Sequence, residues 1–395
     1  MKKAKKTSQQ TRQAKAVPVA KEVTRKIKPK VERELWARAA GRCQFDGCNR
    51  IVYKSPLTQN RVNISEKAHI YSFSKNGPRG WGKLSERELN DIENLMLVCH
   101  DCHKDLDEDK GKRFPAHLLQ RFKAEHEKRI FIVTGVDPSK KSHVILYGAN
   151  IGKEESNLSP DTAKDALFPA WYPAEEYPVT LSMTWAGRDD NSSYWSTESE
   201  NLTKIFEQNI RPMLARKECS HFSLFALAPM PLLTLLGSFL TDKVPVQTYQ
   251  LHREPPFSWH WQTGPKNFQF LVKPPASFGN PPALVIALSD KIAHSRITDI
   301  LGPNVSIWEL TVAQPHNDFL KSKAQLAQFR ETVRKLMVDI GHAHGKNTTL
   351  SIFPAMPVAC AVELGRVRMP KADAQWSFYD HNNQAKKFIA ALTIG

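Results

Sequence analysis

Two pairs of closely spaced cysteines limit what the first part of this chain can fold into. Cys43 and Cys48 form one pair, and Cys99 and Cys102 form a second pair after an interval of fifty residues. Short turns that present two thiolates on one side suit a closed tetrahedral zinc site, which stabilises a small domain with little core of its own. The sequence therefore predicts a structural Zn²⁺ bound by these four residues, rather than a disulfide scaffold.

The positive charge of the chain is concentrated at its beginning. The 395 residues carry a formal charge of +16, of which +10 lies in residues 1–30 and +5 in residues 31–150, so that residues 151–395 contribute only +1. This asymmetry indicates an anionic partner for the N-terminal part. No apolar run follows the basic start, and two prolines interrupt the long uncharged stretch 222–241. We therefore expect a cytoplasmic protein that binds nucleic acid and has no membrane partner.

Three polar residues accompany the cysteine pairs in a fixed order. His69 follows the first pair, Asn94 precedes the second pair, and His103 comes directly after it. This order and spacing resemble the HNH nuclease family, whose fold is a ββα-metal unit, over about residues 31–130. The resemblance implies that His69 is the general base, that Asn94 orients the loop bearing the base, and that His103 binds a catalytic Mg²⁺ or similar ion.

The residue before the expected base departs from the commonest pattern of that family. Many members carry an acidic or histidine metal ligand there, whereas this chain has Ala68. A second ligand for the catalytic ion must come from elsewhere. Glu66, Asp101 and Asp107 are alternatives that the sequence does not separate.

Basic side chains surround the predicted hairpin of this unit, with Trp81 among them. Phosphate contacts from lysine and arginine give affinity that tolerates any sequence, so these residues support the nuclease interpretation. They are Lys54, Arg61, Lys67, Lys75, Arg79 and Lys83.

Changes in composition divide the chain into four parts. Amphipathic patterns predict two helices in the second part, Glu32–Ala40 and Ala116–Ile130. A proline-rich stretch follows, with one apolar run at 144–147, and we expect it to be a connector that packs locally. The predicted parts are a basic flexible arm at 1–30, an HNH domain at 31–134, the connector at 135–176 and a second domain at 177–395.

Strand-like and helix-like segments alternate from Val179 onward, which is typical of an α/β fold. The predicted strands are Val179–Trp185, Phe222–Leu227, Val246–Leu251, Ala283–Leu288, Val305–Leu310 and Thr349–Phe353. The predicted helices are Ser199–Leu214, Leu232–Thr241, Leu320–Ile340 and Val358–Gly365.

Two of these segments look alike. Each has an apolar strand, a turn containing Met-Pro and then a helix with Leu-Gly in its later turns, and the two Met-Pro pairs lie 126 residues apart. A duplicated half-domain explains this likeness. The alternative is that any two α/β units share the same strand–turn–helix outline.

Residues from about 177 to the end resemble the SAVED domain, a sensor of cyclic oligonucleotides that is assembled from two fused CARF-like halves. The resemblance is carried by Pro229-Met230-Pro231, by Trp259-His260-Trp261, and by 353–357 with Leu364-Gly365-Arg366. It implies an overall fold class that combines α+β and α/β: a small zinc-stapled ββα-metal (HNH) domain, then a SAVED domain of two Rossmann-type halves.

The whole chain then resembles an HNH–SAVED effector of CBASS anti-phage defence. That resemblance implies a cyclic dinucleotide or cyclic trinucleotide messenger, assembly into a homo-oligomer on activation, and degradation of double-stranded DNA. Turns that lead from strand ends into helices offer backbone N–H groups to phosphates, and flat side chains stack on bases. The expected ligand-binding residues are Trp185, Arg188, Trp195, Met230, Pro231, Trp259, Trp261, Met356 and Pro357, with Tyr194 and Lys266 as further candidates.

These observations favour a metal-dependent DNA endonuclease that is gated by a ligand. Two other functions stay open at this stage. One is a zinc-knuckle DNA-binding regulator with a ligand-sensing domain, and the other is an HNH restriction enzyme that recognises modified DNA. The small charge beyond residue 150 speaks against the second of these, because a DNA-reading domain is expected to be basic.

Overall fold

The computed structural model describes residues 26–152, 156, 158–182, 193–382 and 385–395. They form two compact units, of which the first ends at Gly135 and the second begins at Val136. Among the described residues, no helix is both long and apolar enough to cross a bilayer.

The first unit is a small ββα arrangement flanked by two helices. Strands β1 and β2 pair antiparallel, with His69 opposite Leu95, and α2 begins directly after β2. This order confirms the predicted ββα fold. Its elements are α1 Pro29–Ala39, β1 Ser65–His69, β2 Leu95–Cys99, α2 His100–Asp107 and α3 Ala116–Thr134.

Both helices predicted in this unit are present, with shifted ends. The first begins three residues earlier than expected, because Pro29 occupies its first turn, where a proline costs no hydrogen bond. It ends where Ala40 and Gly41 adopt positive φ values of 51° and 65°. The second helix continues four residues past the predicted end, to Thr134.

The second unit contains the remaining elements, in which strands and helices alternate. They are β3 Lys141–Gly148, α4 Pro160–Asp165, β4 Tyr172–Pro173, β5 Val179–Thr180, α5 Tyr194–Asn209, α6 Arg211–Ala215, β6 Phe222–Leu227, α7 Met230–Leu240, β7 Val246–Thr248, β8 Leu271–Lys273, β9 Pro282–Ala287, α8 Ser295–Leu301, β10 Ser306–Thr311, α9 Lys323–His344, β11 Leu350–Ala355, α10 Val358–Val367, β12 Trp376–Asn382 and β13 Lys387–Ile394.

These strands form two sheets with the same parallel centre. In the first sheet β6 lies between β3 and β7, and β4 and β5 pair with the other edge of β3. In the second sheet the order is β13-β12-β11-β9-β10-β8, and the four inner strands are parallel. Strand β9 is apolar and buried throughout, and the one polar residue of β6, Ser223, is buried within 2.8 Å of the Ser142 hydroxyl, as expected for parallel strands that are buried on both faces. The two predicted Rossmann-type halves are therefore confirmed.

The predicted connector at 135–176 is wrong. Residues 141–148 form β3, which pairs in parallel with β6 along 222–227, and the whole segment after Gly135 belongs to the second unit. The apolar run at 144–147 looked like a local packing element because its partner strand lies about eighty residues away in sequence. Parallel pairing across such a distance leaves no mark in the local pattern.

Other elements depart from prediction for local reasons. The predicted helix Ser199–Leu214 is divided into α5 and α6, because Pro212 starts a new helix. The predicted helix Leu320–Ile340 begins instead at Lys323, where the Ser322 and Gln325 side chains form a capping box. Within the described part of the predicted strand Val179–Trp185, Val179–Thr180 form β5, and residues 183–192 lie outside the described chain.

The two similar segments are equivalent at a spacing of 128 residues rather than 126. Strands β6 and β11 begin at 222 and 350, and α7 and α10 begin at 230 and 358. The helices cross at Gly237 and Gly365, where an added Cβ would lie 2.0 Å from the carbonyl oxygen of Val362 or 1.9 Å from that of Thr234. Only glycine permits this approach. The prolines before the helices are equivalent, and the Met-Pro pairs are not.

Candidate functional site

The four predicted zinc ligands come together. The Sγ atoms of Cys43, Cys48, Cys99 and Cys102 all lie within 4.8 Å of one another, and those of Cys48 and Cys99 are 3.9 Å apart. A tetrahedron with Zn–S bonds of about 2.3 Å has sulfur–sulfur edges of about 3.8 Å. Within the described residues, this is the only group of three or more His, Cys, Asp or Glu with ligand atoms that close.

The electrostatics of this cluster call for a cation. Burial raises the pKa of Cys43 to about 12, and burial together with the nearby Cys43 raises the pKa of Cys102. Burial also opposes ionisation of Cys48, but hydrogen bonds from Arg50 and the other cysteines outweigh it and lower its pKa. A divalent ion stabilises all four thiolates, so the donor set fits Zn²⁺.

His69 ends β1 and lines a cavity of about 370 Å³. Its Nε2 lies 3.0 Å from Oδ1 of Asn90. An amide oxygen only accepts hydrogen bonds, so the tautomer that suits this contact carries its proton on Nε2 and its lone pair on Nδ1. His103 and Asp107 line the same cavity.

Asn94 is 3% exposed and holds the loop that follows His69. Its Oδ1 accepts from the backbone N–H of Tyr71 at 2.7 Å, and its Nδ2 donates to the carbonyls of Tyr71 at 3.0 Å and Leu89 at 2.9 Å. Its own carbonyl accepts from the N–H of Ile70 at 2.8 Å. The side chain therefore ties together both ends of the loop between β1 and β2.

The three carboxylates proposed as a second ligand differ in position. Asp107 lies one helical turn after His103 on α2, and both line the cavity, as does Glu66 from β1. Asp101 is not among the lining residues, and its carboxylate is 2.6 Å from Nη1 of Arg50. An imidazole and a carboxylate on one helix face fit an ion such as Mg²⁺, which keeps several waters and takes few protein ligands.

One of the basic residues expected to bind phosphate points inward. The Arg79 side chain is 6% exposed, and its donors are engaged by carbonyls and by Asp107. By contrast, Arg61 and Lys83 are exposed, and Lys75 lies over the ring of Trp81 at 4.5 Å. The expectation that Arg79 contacts phosphate is therefore wrong, because its guanidinium is buried inside the first unit.

A second cavity, of about 250 Å³, lies where β6 and β11 lead into α7 and α10. Ligands of open parallel sheets bind at this end of the strands. Three of the expected ligand residues line it, namely Met230, Met356 and Pro357. The Sδ atom of Met230 lies 3.4 Å from the backbone N of Met356, so the two halves meet here.

The other expected ligand residues do not line this cavity. Trp259 is 5% exposed and packs edge-on against Phe225, and Trp195 lines a different cavity beside α5. Pro231 is buried in α7, and Trp261 packs against the core. Tyr194 is buried and Lys266 is exposed elsewhere. Trp185 and Arg188 lie outside the described residues.

Sequence reasoning missed several polar residues of this cavity. Four of them follow strands β7, β9 or β10, at the end where open parallel sheets bind ligands, and Asp380 lies within β12. Gln250 is the most informative, because its Oε1 accepts from the backbone N–H of Ala359 at 3.2 Å, in the first turn of α10. Pro231 holds the equivalent position in α7 and has no N–H. The missed residues are Gln250, Arg253, Ser289, Asn317 and Asp380.

Comparisons with known proteins match one family model to each of the two units. The family model of the SAVED domain, the SMODS-associated and fused to various effectors sensor domain, matches residues 202–394. The family model HNH_2, an HNH endonuclease, matches residues 43–109. No curated protein matches the chain.

Among solved structures, the chain is similar to Cap4 SAVED/CARF-domain containing receptors. The Acinetobacter baumannii receptor, solved with the cyclic trinucleotide 2'3'3'-cAAA, has a TM-score of 0.42 and 12% identity, covering 79% of this chain and 62% of that chain. The Moraxella osloensis receptor has a TM-score of 0.36 and 12% identity, covering 79% and 61%. The chain thus spans about three fifths of the length of these receptors. The two family matches thus identify an HNH endonuclease domain at residues 43–109, in the first unit, and a SAVED sensor domain at residues 202–394, in the second.

Proposed function

We propose that this protein is a metal-dependent endonuclease that cuts double-stranded DNA when a cyclic di- or trinucleotide binds its second unit, as an effector of CBASS anti-phage defence. The observation that carries the proposal is that His69, His103 and Asp107 line one cavity. A base and a pair of metal-binding side chains are the groups that phosphodiester hydrolysis requires.

In this reaction Nδ1 of His69 takes a proton from the attacking water, because its Nε2 proton is held by Asn90. Asn94 keeps the loop in place, so that the imidazole does not rotate away. His103 and Asp107 hold the divalent ion, which when bound offsets negative charge on the phosphorane and on the leaving oxygen. The basic arm and the exposed Arg61 and Lys83 supply phosphate contacts that tolerate any sequence.

The proposed messenger site is the cavity at the ends of β6 and β11. Arg253 provides a cation there for a phosphate, and Met230 with Met356 provides polarizable surface for a base. The N–H of Ala359 is already bonded to Gln250, so phosphate recognition relies more on this arginine than on helix N-termini. A messenger that binds the active arrangement more tightly shifts the population towards it, and we include homo-oligomer formation in that arrangement.

The test is plasmid cleavage in Mg²⁺, with and without a panel of cyclic di- and trinucleotides. We expect cutting only with one of them, and we expect His69→Ala to abolish cutting while DNA binding is kept. His117→Ala is the matched control, because it removes an exposed histidine from α3 of the same unit. Cutting without any cyclic nucleotide would exclude gating, and cutting that depends on modified bases would indicate a restriction enzyme. If His69→Ala leaves function intact, the protein is a DNA-binding regulator.

A further inference from the structure

Arg79 makes four polar contacts that join two separate parts of the HNH unit. Its Nε donates to the carbonyl of Ile70 at 2.6 Å, and its Nη2 lies 3.3 Å from the carbonyl oxygen of His69. Its Nη1 donates to the carbonyl of Leu106 at 2.9 Å, and Nη2 also donates to Oδ1 of Asp107 at 3.0 Å. One buried guanidinium therefore connects the end of β1 to the end of α2.

The surroundings leave this guanidinium little room to move. Gly111 adopts a φ of +70°, and a Cβ built there would lie 2.6 Å from Nη1 of Arg79. The backbone N–H of Arg79 donates to Oγ of Ser72 at 3.2 Å, which fixes the start of the side chain. The Arg79 side chain is thus held both at its backbone and at its guanidinium group.

The contacts at α2 have a chemical reason. Leu106 contributes one of the last four carbonyls of the helix, which lack partners within the helix and carry partial negative charge. The Arg79 guanidinium donates to that carbonyl and also to one oxygen of the Asp107 carboxylate. The carboxylate is then held through one oxygen, and Asp107 lines the cavity together with His103.

We propose that Arg79 is a positioning residue of the nuclease site. It holds the backbone that carries His69 at a set distance from α2, and it orients the Asp107 carboxylate for the catalytic ion. This inference rests on the proposed function, since it assigns Asp107 and His103 to the ion. A lysine at this position keeps the charge but cannot reach acceptors on both elements with a planar fork.

The test compares Arg79→Lys with Arg87→Lys, which makes the same change at an exposed arginine of the same loop. The first measurement is Mn²⁺ affinity by calorimetry on the full zinc-loaded protein, which needs no cleavage. Residues that orient metal ligands typically change affinity by about 10–100-fold. We expect Arg79→Lys to weaken Mn²⁺ binding within that range and to raise the Mg²⁺ concentration for half-maximal cutting, with DNA affinity and zinc content unchanged. Arg87→Lys should match the wild type.

A second variant perturbs the guanidinium without removing it. Gly111→Ala places a methyl group against Nη1, and we expect the same direction of change, by a smaller factor. Unchanged Mn²⁺ affinity in Arg79→Lys overturns the proposal, as does a loss of DNA affinity in place of metal affinity. If Arg79→Lys unfolds the unit, Gly111→Ala decides by the same criterion. Wild-type protein that binds Mn²⁺ but never cuts would refute the proposed function and leave the positioning role to be judged on Mn²⁺ binding.

Discussion

The two units of this protein keep their folds by different means. In the first unit, Cys43 and Cys99 are themselves part of a small buried cluster that joins β1, β2, α1 and α3. In the second unit, one large apolar cluster runs from the first sheet through α5, α7, α9 and α10 to the second sheet. Because the buried cluster of the first unit is the smaller, apolar burial stabilises that unit less, and a metal bound by its four cysteines would contribute a larger share of its stability.

The difference extends to the functional sites. His103 directly follows Cys102 of the four-cysteine cluster, and His69 lies at the end of a two-stranded sheet whose partner strand ends in Cys99. The proposed nuclease site therefore depends on the four-cysteine cluster for its geometry. The proposed messenger cavity is lined by the first residues of α7 and α10, so its geometry depends on how closely these two helices pack.

The largest effect is expected from a change in the four-cysteine cluster, which should damage the first unit and leave the second unit unchanged. Cys99→Ser removes one of four ligands, and structural zinc contributes about 10–16 kcal/mol in small zinc domains. We expect loss of bound zinc, loss of the thermal transition of the first unit and at least about a 100-fold loss of cutting, because His69 and His103 are no longer held together. The transition of the second unit and its messenger affinity should not change.

The control for this change is Cys219→Ser, which alters a cysteine of the second unit that donates to the carbonyl of His221. A hydroxyl can make the same hydrogen bond, so zinc content and both transitions should stay as in the wild type. Zinc retained at full occupancy in Cys99→Ser, with normal cutting, would contradict the assignment of the four cysteines.

The second prediction concerns a change in the second unit alone, at the crossing of α7 and α10. In Gly365→Ala the new Cβ would lie 1.9 Å from the carbonyl oxygen of Thr234, so α7 and α10 must separate. We expect the free energy of unfolding of the second unit to fall by about 3 kcal/mol or more, since overpacking of a tight backbone contact is not relieved by rotamer changes. Messenger affinity should fall with it, while zinc content is unchanged.

Gly341→Ala on α9 is the matched control, because nothing lies within 4 Å of its added Cβ. Alanine has the higher helix propensity, so this variant should be as stable as the wild type or more stable by up to about 1 kcal/mol. Denaturant unfolding followed by tryptophan fluorescence measures both. Equal stability of the two variants would mean that α7 and α10 do not touch at Gly365.

Local patterns predicted the elements of the first unit better than those of the second, but not the burial of every side chain. The spacing of the cysteines predicted the four-cysteine cluster, and the resemblance to the HNH family implied the ββα order. β3 was missed because its partner is distant in sequence. Arg79 was expected to be a surface cation, because the burial of a charged residue cannot be read from the sequence. Gln250 was missed although the end of a parallel strand is a ligand position.

The smallest expected effect concerns two histidines at the start of β3 and β6. His221 stacks on Trp171 at 3.7 Å between ring centroids, and its Nδ1 lies 2.8 Å from Oγ of Ser142. Burial, with nearby positive charges, lowers the pKa of His221 to about 4, and burial lowers the pKa of His143 as well. Both groups are therefore neutral in the folded second unit at neutral pH.

Measuring the free energy of unfolding of the second unit against pH should detect the titration of these two histidines. The pKa of His221 is about 4 when folded against an ordinary value of 6.5, so the unfolded chain binds the proton first as the pH falls. The stability contribution of the neutral ring is complete above pH 6.5 and is lost progressively between 6.5 and about 4, by at most about 3 kcal/mol. In His221→Asn, which does not titrate in this window, the loss of unfolding free energy over the same range should shrink, with a residual slope from His143. An unchanged slope would show that His221 is not buried as a neutral ring, and that the second unit is not held by apolar packing at this end of its sheet.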